Sequence, residues 1–386
     1  MTRVLMIAPT PFFSDRGCHV RIFEEAAELG RRGVEVKILT YPLGDDPPGV
    51  SVTRARALLP YRRTEAGPSW LRLPQDAAVL AAAVRLVRSF RPDLIHAHLH
   101  EGVLIGAVLK RLFKLPLVFD YQGSLLGESL QHGFVRPGGA LAAAFAGLER
   151  RLDSAADRIL TSSTPLADAL RGRGLPARSL PDGVDPKRFS PGPPDPDLAR
   201  SLRLDDGRPV CVYLGVMSDY QGVDILLDAA RSLSPDARFL LMGYPEAAYV
   251  AESRRLGLDR SVTFTGRMPY LDAPRHLRLG AVALAPKLAP TEANGKVLTY
   301  MAAGLPVVAF DLPVNRELLG EHAEYVSPAG DRRELARSFA AAVRRLLDHP
   351  DRRAELSAAG RERAQRLFSI AAQGDRLVDL YRELAP

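Results

Sequence analysis

Glu292-Ala-Asn294-Gly295-Lys296-Val297 sets a carboxylate, a carboxamide and an ammonium around a glycine, just ahead of an apolar run that closes at Gly304. An Asn-Gly pair at a helix start presents backbone amides, and Lys296 adds a full positive charge. Together they can seat an anion such as a nucleotide diphosphate. A helix that only packs would not need Glu and Lys flanking that pair. Val210-Cys-Val-Tyr-Leu-Gly215 runs through a turn to Gln221-Gly222 and a further helix start, a second candidate phosphate seat. Near the beginning, Arg16-Gly17 precedes a helix from about Val20 and is a candidate diphosphate contact, with a plain loop as the alternative. That turn lacks Gly-x-Gly-x-x-Gly, which argues against nicotinamide dinucleotide chemistry.

Asp93-Leu-Ile-His96-Ala-His98-Leu-His100-Glu101 alternates three histidines that a continuing strand would present on one face. They could hold a metal, bind substrate oxygens or satisfy local hydrogen bonds. No carboxylate or cysteine completes a zinc spacing, so no metal is expected. The run Leu117–Tyr121 ends in Gln122-Gly-Ser124, with Glu128 in the loop beyond, a polar strand end that can form one wall of a pocket. Asp195-Pro-Asp197 imitates a metal-binding Asp-x-Asp pair, but it lies among prolines and reads as a solvated turn.

Short apolar runs alternate with helical patterns along the whole chain, the signature of βαβ units feeding parallel sheets. The first half offers strands at 4–8, 35–40, 94–98, 117–121 and 158–161, with helices between them. The second offers strands at 210–214, 238–242, 262–265, 281–285 and 306–310. Phe189-Ser-Pro-Gly-Pro-Pro-Asp-Pro-Asp breaks both patterns. The expected division is 1–188, a linker at 189–199, a second domain at 200–365, and a C-terminal helix at 366–386 that packs back on the first domain.

The 386 residues include only Cys18 and Cys211, which excludes a disulfide framework and a cysteine-built metal site and fits a reducing cytoplasm. Arg interrupts every long apolar stretch, so no membrane span is expected. The net charge of +7 favours anionic partners. The basic residues are scattered and no reader motif appears, so no nucleic-acid partner is expected. Leu58–Pro74, which holds the single tryptophan among apolar residues and arginines, is a candidate contact with an anionic membrane, the alternative being a packed loop.

These pieces resemble family 4 glycosyltransferases. The matching segments are Arg16-Gly17, His96-Ala-His98, Pro181-Asp-Gly-Val-Asp185, Leu214-Gly215, Met242-Gly243, Phe264-Thr-Gly266, and Asn294 through Gly304 to Ala309. The resemblance implies an α/β GT-B fold, in which two Rossmann-like parallel-sheet domains face each other across a cleft, with a C-terminal helical tail. It implies a retaining, metal-independent enzyme with no cofactor, which moves a sugar from a nucleotide-diphosphate sugar to a sugar or lipid-linked acceptor in surface polysaccharide, glycolipid or glycoconjugate synthesis. The implied location is cytoplasmic, with peripheral contact at the inner membrane face.

The resemblance assigns Glu292, Lys296, His98 and Gln122 to catalysis. It assigns Arg16, Gly17, Gly215, Gln221, Gly243, Tyr244, Gly266, Arg267, Asn294, Gly295, Val297 and Thr299 to the donor, and His96, His100, Glu101 and Glu128 to the acceptor side. The chain departs from the family in three places. The second glutamate of the ribose-binding Glu-x7-Glu pair falls on Thr299 or Tyr300, depending on the register. The usual Arg and Lys beside the diphosphate are Val216 and Gln221, and Gln122 stands where a His-Gly pair is common. Those losses motivate two alternatives, a nucleotide-sugar-binding protein without catalysis and a sugar-nucleotide 2-epimerase.

Overall fold

The computed structural model describes residues 1–14, 17–58, 72–131, 133–289 and 293–385. Two compact units emerge, one built from Met1–Ser14, Cys18–Pro181 and Gln373–Pro386, the other on Asp182–Ala372. The proline-rich 189–199 stretch falls inside the second unit. There Asp195 caps the short helix Pro196–Ser201 by accepting from Asp197 N and Leu198 N at 3.0 Å, which gives the Asp-x-Asp imitation a structural role.

The first unit holds a seven-stranded parallel sheet. Its strands in chain order are β1 (Arg3–Ala8), β2 (Glu35–Thr40), β3 (Val52–Arg54), β4 (Leu94–His98), β5 (Leu117–Tyr121), β6 (Arg158–Thr161) and β7 (Ala177–Ser179). They are ordered β3-β2-β1-β4-β5-β6-β7. Alternation splits this sheet chemically. Leu5, Ile7, Leu39, Ile95, Ala97, Leu117 and Phe119 join one apolar cluster, whereas the intervening positions of β4 and β5 carry His96, His98 and Asp120. The register sets His98 beside Asp120 across neighbouring strands.

The second unit holds β8 (Val210–Leu214), β9 (Arg238–Met242), β10 (Val262–Phe264), β11 (Val282–Ala285), β12 (Val307–Phe310) and β13 (Glu324–Val326), ordered β10-β9-β8-β11-β12-β13. Both its faces are apolar, as a helix-covered parallel sheet requires. Cys211, Tyr213, Phe239, Leu241, Val282 and Leu284 share a cluster with the helices Val223–Leu233 and Arg332–Asp348. Val212, Leu240, Met242, Ala283 and Ala285 share another with the helix Lys296–Ala302. In each sheet the strand order reverses beside the unit's first strand, at β1/β4 and β8/β11. Open α/β sheets bind ligands beyond the strand ends at such a reversal.

The helical tail resolves into Arg332–Asp348, Pro350–Leu367 and Ile370–Leu384, the first opened by an Asp331/Glu334 capping box. The chain passes from the second unit to the first between Ala372 and Gln373.

Candidate active site

Beyond β8 and β9, Gly215 and Gly243 bring two backbones into contact. Gly215 N donates to Met242 O at 2.9 Å. Gly243 has φ +147°, and a Cβ there would overlap the Gly215 carbonyl, so only glycine fits. Against this pair lies the Lys296 side chain, whose Nζ donates to Gln221 Oε1 at 2.8 Å and lies 3.3 Å from Tyr213 Oη and 4.3 Å from that ring's centre. Lys296 keeps some exposed surface, but its ammonium end is packed round by protein. That desolvation, with Lys287 nearby, pulls its pKa well below the ordinary lysine range. Among the described residues no carboxylate pairs with it. A desolvated cation of this kind has a strong electrostatic demand for an anionic ligand.

The backbone amides contribute less than the sequence implies. Those of Gly215 and Gly222 are taken by the carbonyls of Met242 and Asp219, and that of Val297 by Asn294 O at 2.9 Å. The helix that opens at the Asn-Gly pair spans only Lys296–Ala302, and the Asp182 carboxylate already stands against Gly295. Val297 is buried in the core, and the Asn294 side chain turns inward, its Nδ2 3.4 Å from Asn315 Oδ1. Of the two registers for the missing glutamate, Tyr300 is a core residue whose Oη accepts Leu214 N at 2.7 Å, while Thr299 is half-buried. Tyr244, half-buried, lies under the exposed Arg267 at 5.9 Å, and the Glu246 carboxylate crowds Gly266. Arg16 and Glu292 lie outside the described residues, as does most of the tryptophan segment, while Gly17 opens the helix Gly17–Arg31 at the surface.

The first unit carries a buried polar network. Asp120 Oδ1 accepts Arg21 Nε at 2.9 Å. Its Oδ2 accepts His98 Nδ1 at 3.0 Å and Gln122 Nε2 at 2.6 Å. Burial alone would raise the Asp120 pKa, but the Arg21 guanidinium and the His98 hydrogen bond overcome it and hold the carboxyl below its usual range. A carboxylate only accepts, so His98 carries its proton on Nδ1 and Gln122 turns its amide nitrogen inward. The Gln122 carbonyl oxygen is therefore the group left to accept a hydroxyl. His98 and His96 are fully buried, whereas Gln122 is half-buried, so of these three only Gln122 keeps exposed surface, with Asp120 and His98 fixing its amide.

The remaining first-unit assignments separate. β4 stops at His98, and Leu99, at φ +63°, turns the chain into the helix Leu99–Phe113. His100 and Glu101 therefore leave the strand face. His100 packs edge-on to Phe119 and Tyr121, and Glu101 pairs with Arg72 at 3.0 Å. Glu128 is exposed on the helix Leu125–Gln131, not in a loop. Glu25 supplies the carboxylate that sequence spacing lacked, its oxygens lying within 4.8 Å of His96 and His98 ring nitrogens. It faces Arg21 Nε at 3.2 Å, the guanidinium that also holds Asp120, so the group is tied into one ion-pair network. Sequence reasoning missed Arg21 and Glu25, and their signal was present: charged residues four apart on the inward face of a helix.

Comparison with known proteins defines the class. Residues 16–180 match the model of a glycosyl transferase 4-like domain, and residues 208–349 match that of glycosyl transferases group 1. A 2-deoxystreptamine N-acetyl-D-glucosaminyltransferase of Streptomyces fradiae is 30% identical over 87% of this chain and 84% of its own. A D-inositol 3-phosphate glycosyltransferase of Rhodococcus erythropolis is 29% identical over 96% and 87%. Among solved structures, sucrose-phosphate synthase from Thermosynechococcus elongatus superposes with a TM-score of 0.78 at 21% identity over 100% and 99% of the two chains. HepE of Anabaena in complex with UDP and glucose does so with 0.78 at 18%, over the whole of both. The chain belongs to the family 4 glycosyltransferases of GT-B fold, and it is an enzyme that transfers sugars.

Proposed function

We infer that the donor is a nucleotide-diphosphate sugar held by the second unit, and that the group transferred goes to a hydroxyl of a hydroxyl-rich acceptor with its anomeric configuration retained. The observation that carries this is Lys296. Its desolvated ammonium, fixed by Gln221 and Tyr213 beside the close-packed Gly215/Gly243 backbones, suits a diphosphate whose charge grows as the sugar leaves. It stands in for the Arg and Lys absent at Val216 and Gln221, and it makes a resident metal unnecessary for leaving-group stabilisation. Binding of UDP and glucose by the structural relative agrees.

Gln122, anchored through Asp120 and His98, supplies an oxygen to orient the acceptor hydroxyl, and attack on the same face, with a donor phosphate oxygen as base, retains configuration. Relatives named for 2-deoxystreptamine and D-inositol 3-phosphate favour a cyclitol ring as the acceptor. A free cyclitol, or one borne on a lipid in glycolipid or glycoconjugate synthesis at the cytoplasmic membrane face, would then accept the sugar. No helix among the described residues is long and apolar enough to cross a membrane.

The test is a turnover panel that pairs UDP-, GDP- and ADP-sugars with 2-deoxystreptamine, myo-inositol and myo-inositol phosphates, with and without EDTA. The expected product is a glycoside with the donor's anomeric configuration, formed at a rate that EDTA leaves within about twofold. Inversion, or EDTA-sensitive turnover, contradicts the mechanism. Donor conversion without any acceptor would favour the epimerase alternative.

A further inference from the structure

The polar network of the first unit ends on the C-terminal helix at both sides. Tyr381, fully buried, places its Oη 2.7 Å from His96 Nδ1. The His96 ring lies 4.4 Å from that of His98, the planes inclined by 33°. His98 holds Asp120, and Asp120 holds Gln122. From the other side of Asp120, Arg21 reaches Glu25, whose Oε1 lies 3.3 Å from Gln373 Nε2. Gln373 also donates to Pro181 O at 3.1 Å. Gln373 and Tyr381 are eight residues apart on the helix Ile370–Leu384, about two turns, and so lie near one face.

We propose that Tyr381 is a positioning residue for sugar transfer: through the stacked His96–His98 pair it fixes the Asp120 carboxylate, and thereby the orientation in which Gln122 presents its carbonyl oxygen to the acceptor. Purely apolar packing of this helix would not place a phenol on a buried imidazole. Among the described residues, neither His96 Nε2 nor His98 Nε2, both buried, has a hydrogen-bond partner. Each ring is therefore oriented through its Nδ1 bond, and loss of the Tyr381 hydroxyl frees His96 to rotate against His98. The second unit's donor seat contains no member of this network, so the effect falls on acceptor handling alone. The inference rests on the reading of Gln122 as the acceptor contact.

Tyr381→Phe and Gln122→Ala test it, alongside Glu383→Ala. The last removes the exposed pairing of the same helix with Arg178 and loosens the helix without touching His96. Spectra of protein labelled with 15N at histidine and glutamine report the His98 Nδ1–H and Gln122 amide signals without any substrate. Steady-state kinetics with a UDP-sugar and myo-inositol then separate donor KM from acceptor KM. Tyr381→Phe is expected to move the His98 and Gln122 signals and to raise acceptor KM or lower kcat by about three- to tenfold, with donor KM unchanged. Glu383→Ala, at comparable loss of Tm, is expected to leave all of these alone.

Unmoved Gln122 signals in Tyr381→Phe, or kinetic losses in both helix variants that simply follow Tm, overturn the proposal while the Gln122 reading stands. A Gln122→Ala variant with normal acceptor kinetics overturns both.

Discussion

Replacing Lys296 by Met removes the charge and keeps most of the side-chain volume, so the fold should survive while the donor site loses its fixed cation. A unit charge about 4 Å from a diphosphate oxygen, at an effective dielectric constant near 20, contributes about 4 kcal/mol. Loss of one preorganised stabilising group in enzymes costs about 3–4 kcal/mol of barrier. The expected fall in kcat/KM is therefore about 10²- to 10³-fold.

The free protein should respond in the opposite sense. In the native state the Lys296 pKa is depressed by desolvation and by Lys287, whereas the unfolded lysine titrates near 10.4. Between these two values the unfolded chain binds a proton that the native chain does not, so this group makes stability rise with pH across that window. Lys296→Met should accordingly match or exceed the wild type in Tm at pH 7, and its advantage should shrink as pH approaches 10. Nucleotide diphosphate binding should move the depressed Lys296 pKa back up, visible as a shift in the pH dependence of donor affinity that the variant lacks. A kcat/KM within threefold of wild type, or a pH dependence of donor affinity unchanged in Lys296→Met, refutes the assignment of this ammonium to the leaving diphosphate.

Other consequences are direct. Arg21→Met leaves Asp120 and Glu25 buried without their guanidinium and should cost about 3–5 kcal/mol, read from denaturant midpoints. Because the Asp120 pKa is depressed in the fold, its contribution is present above the unfolded value near 3.9 and is lost as pH falls below it, so the variant should also show a flatter acid limb. Gly243→Ala forces a Cβ into the Gly215 carbonyl at a positive φ and should abolish donor turnover, together with a lowered Tm from about 1–3 kcal/mol of strain. Tyr300→Phe strips Leu214 N of its acceptor and should lower stability by about 1–3 kcal/mol.

Most of the architecture was legible because buried parallel strands are short, continuous apolar runs. β2, β4, β5, β6, β8 and β9 begin and end where their runs do. β3, β7 and β13 were not, since three residues with little burial leave no pattern to read. Lys296, Gly215 and Gln221 were marked from the glycine turns and the family resemblance, but Tyr213 was not, and the pairing of the ammonium with Tyr213 and Gln221 spans over seventy residues of chain. Asp120 was hidden for a different reason. A charged residue inside an apolar strand reads as a flaw until the register sets it beside His98 and the helix Gly17–Arg31 delivers Arg21. His100 was misplaced because alternation continues on paper past Leu99, where the backbone turns into a helix.

Hydrogen–deuterium exchange of the full chain, with and without saturating UDP, GDP or ADP sugars, tests most directly where the donor binds. Donor binding to the second unit predicts that one of these ligands slows exchange at 214–217, 242–246 and 293–299, and that Lys296→Met loses most of that protection. Protection confined to the first unit, or none with any nucleotide sugar, would contradict it.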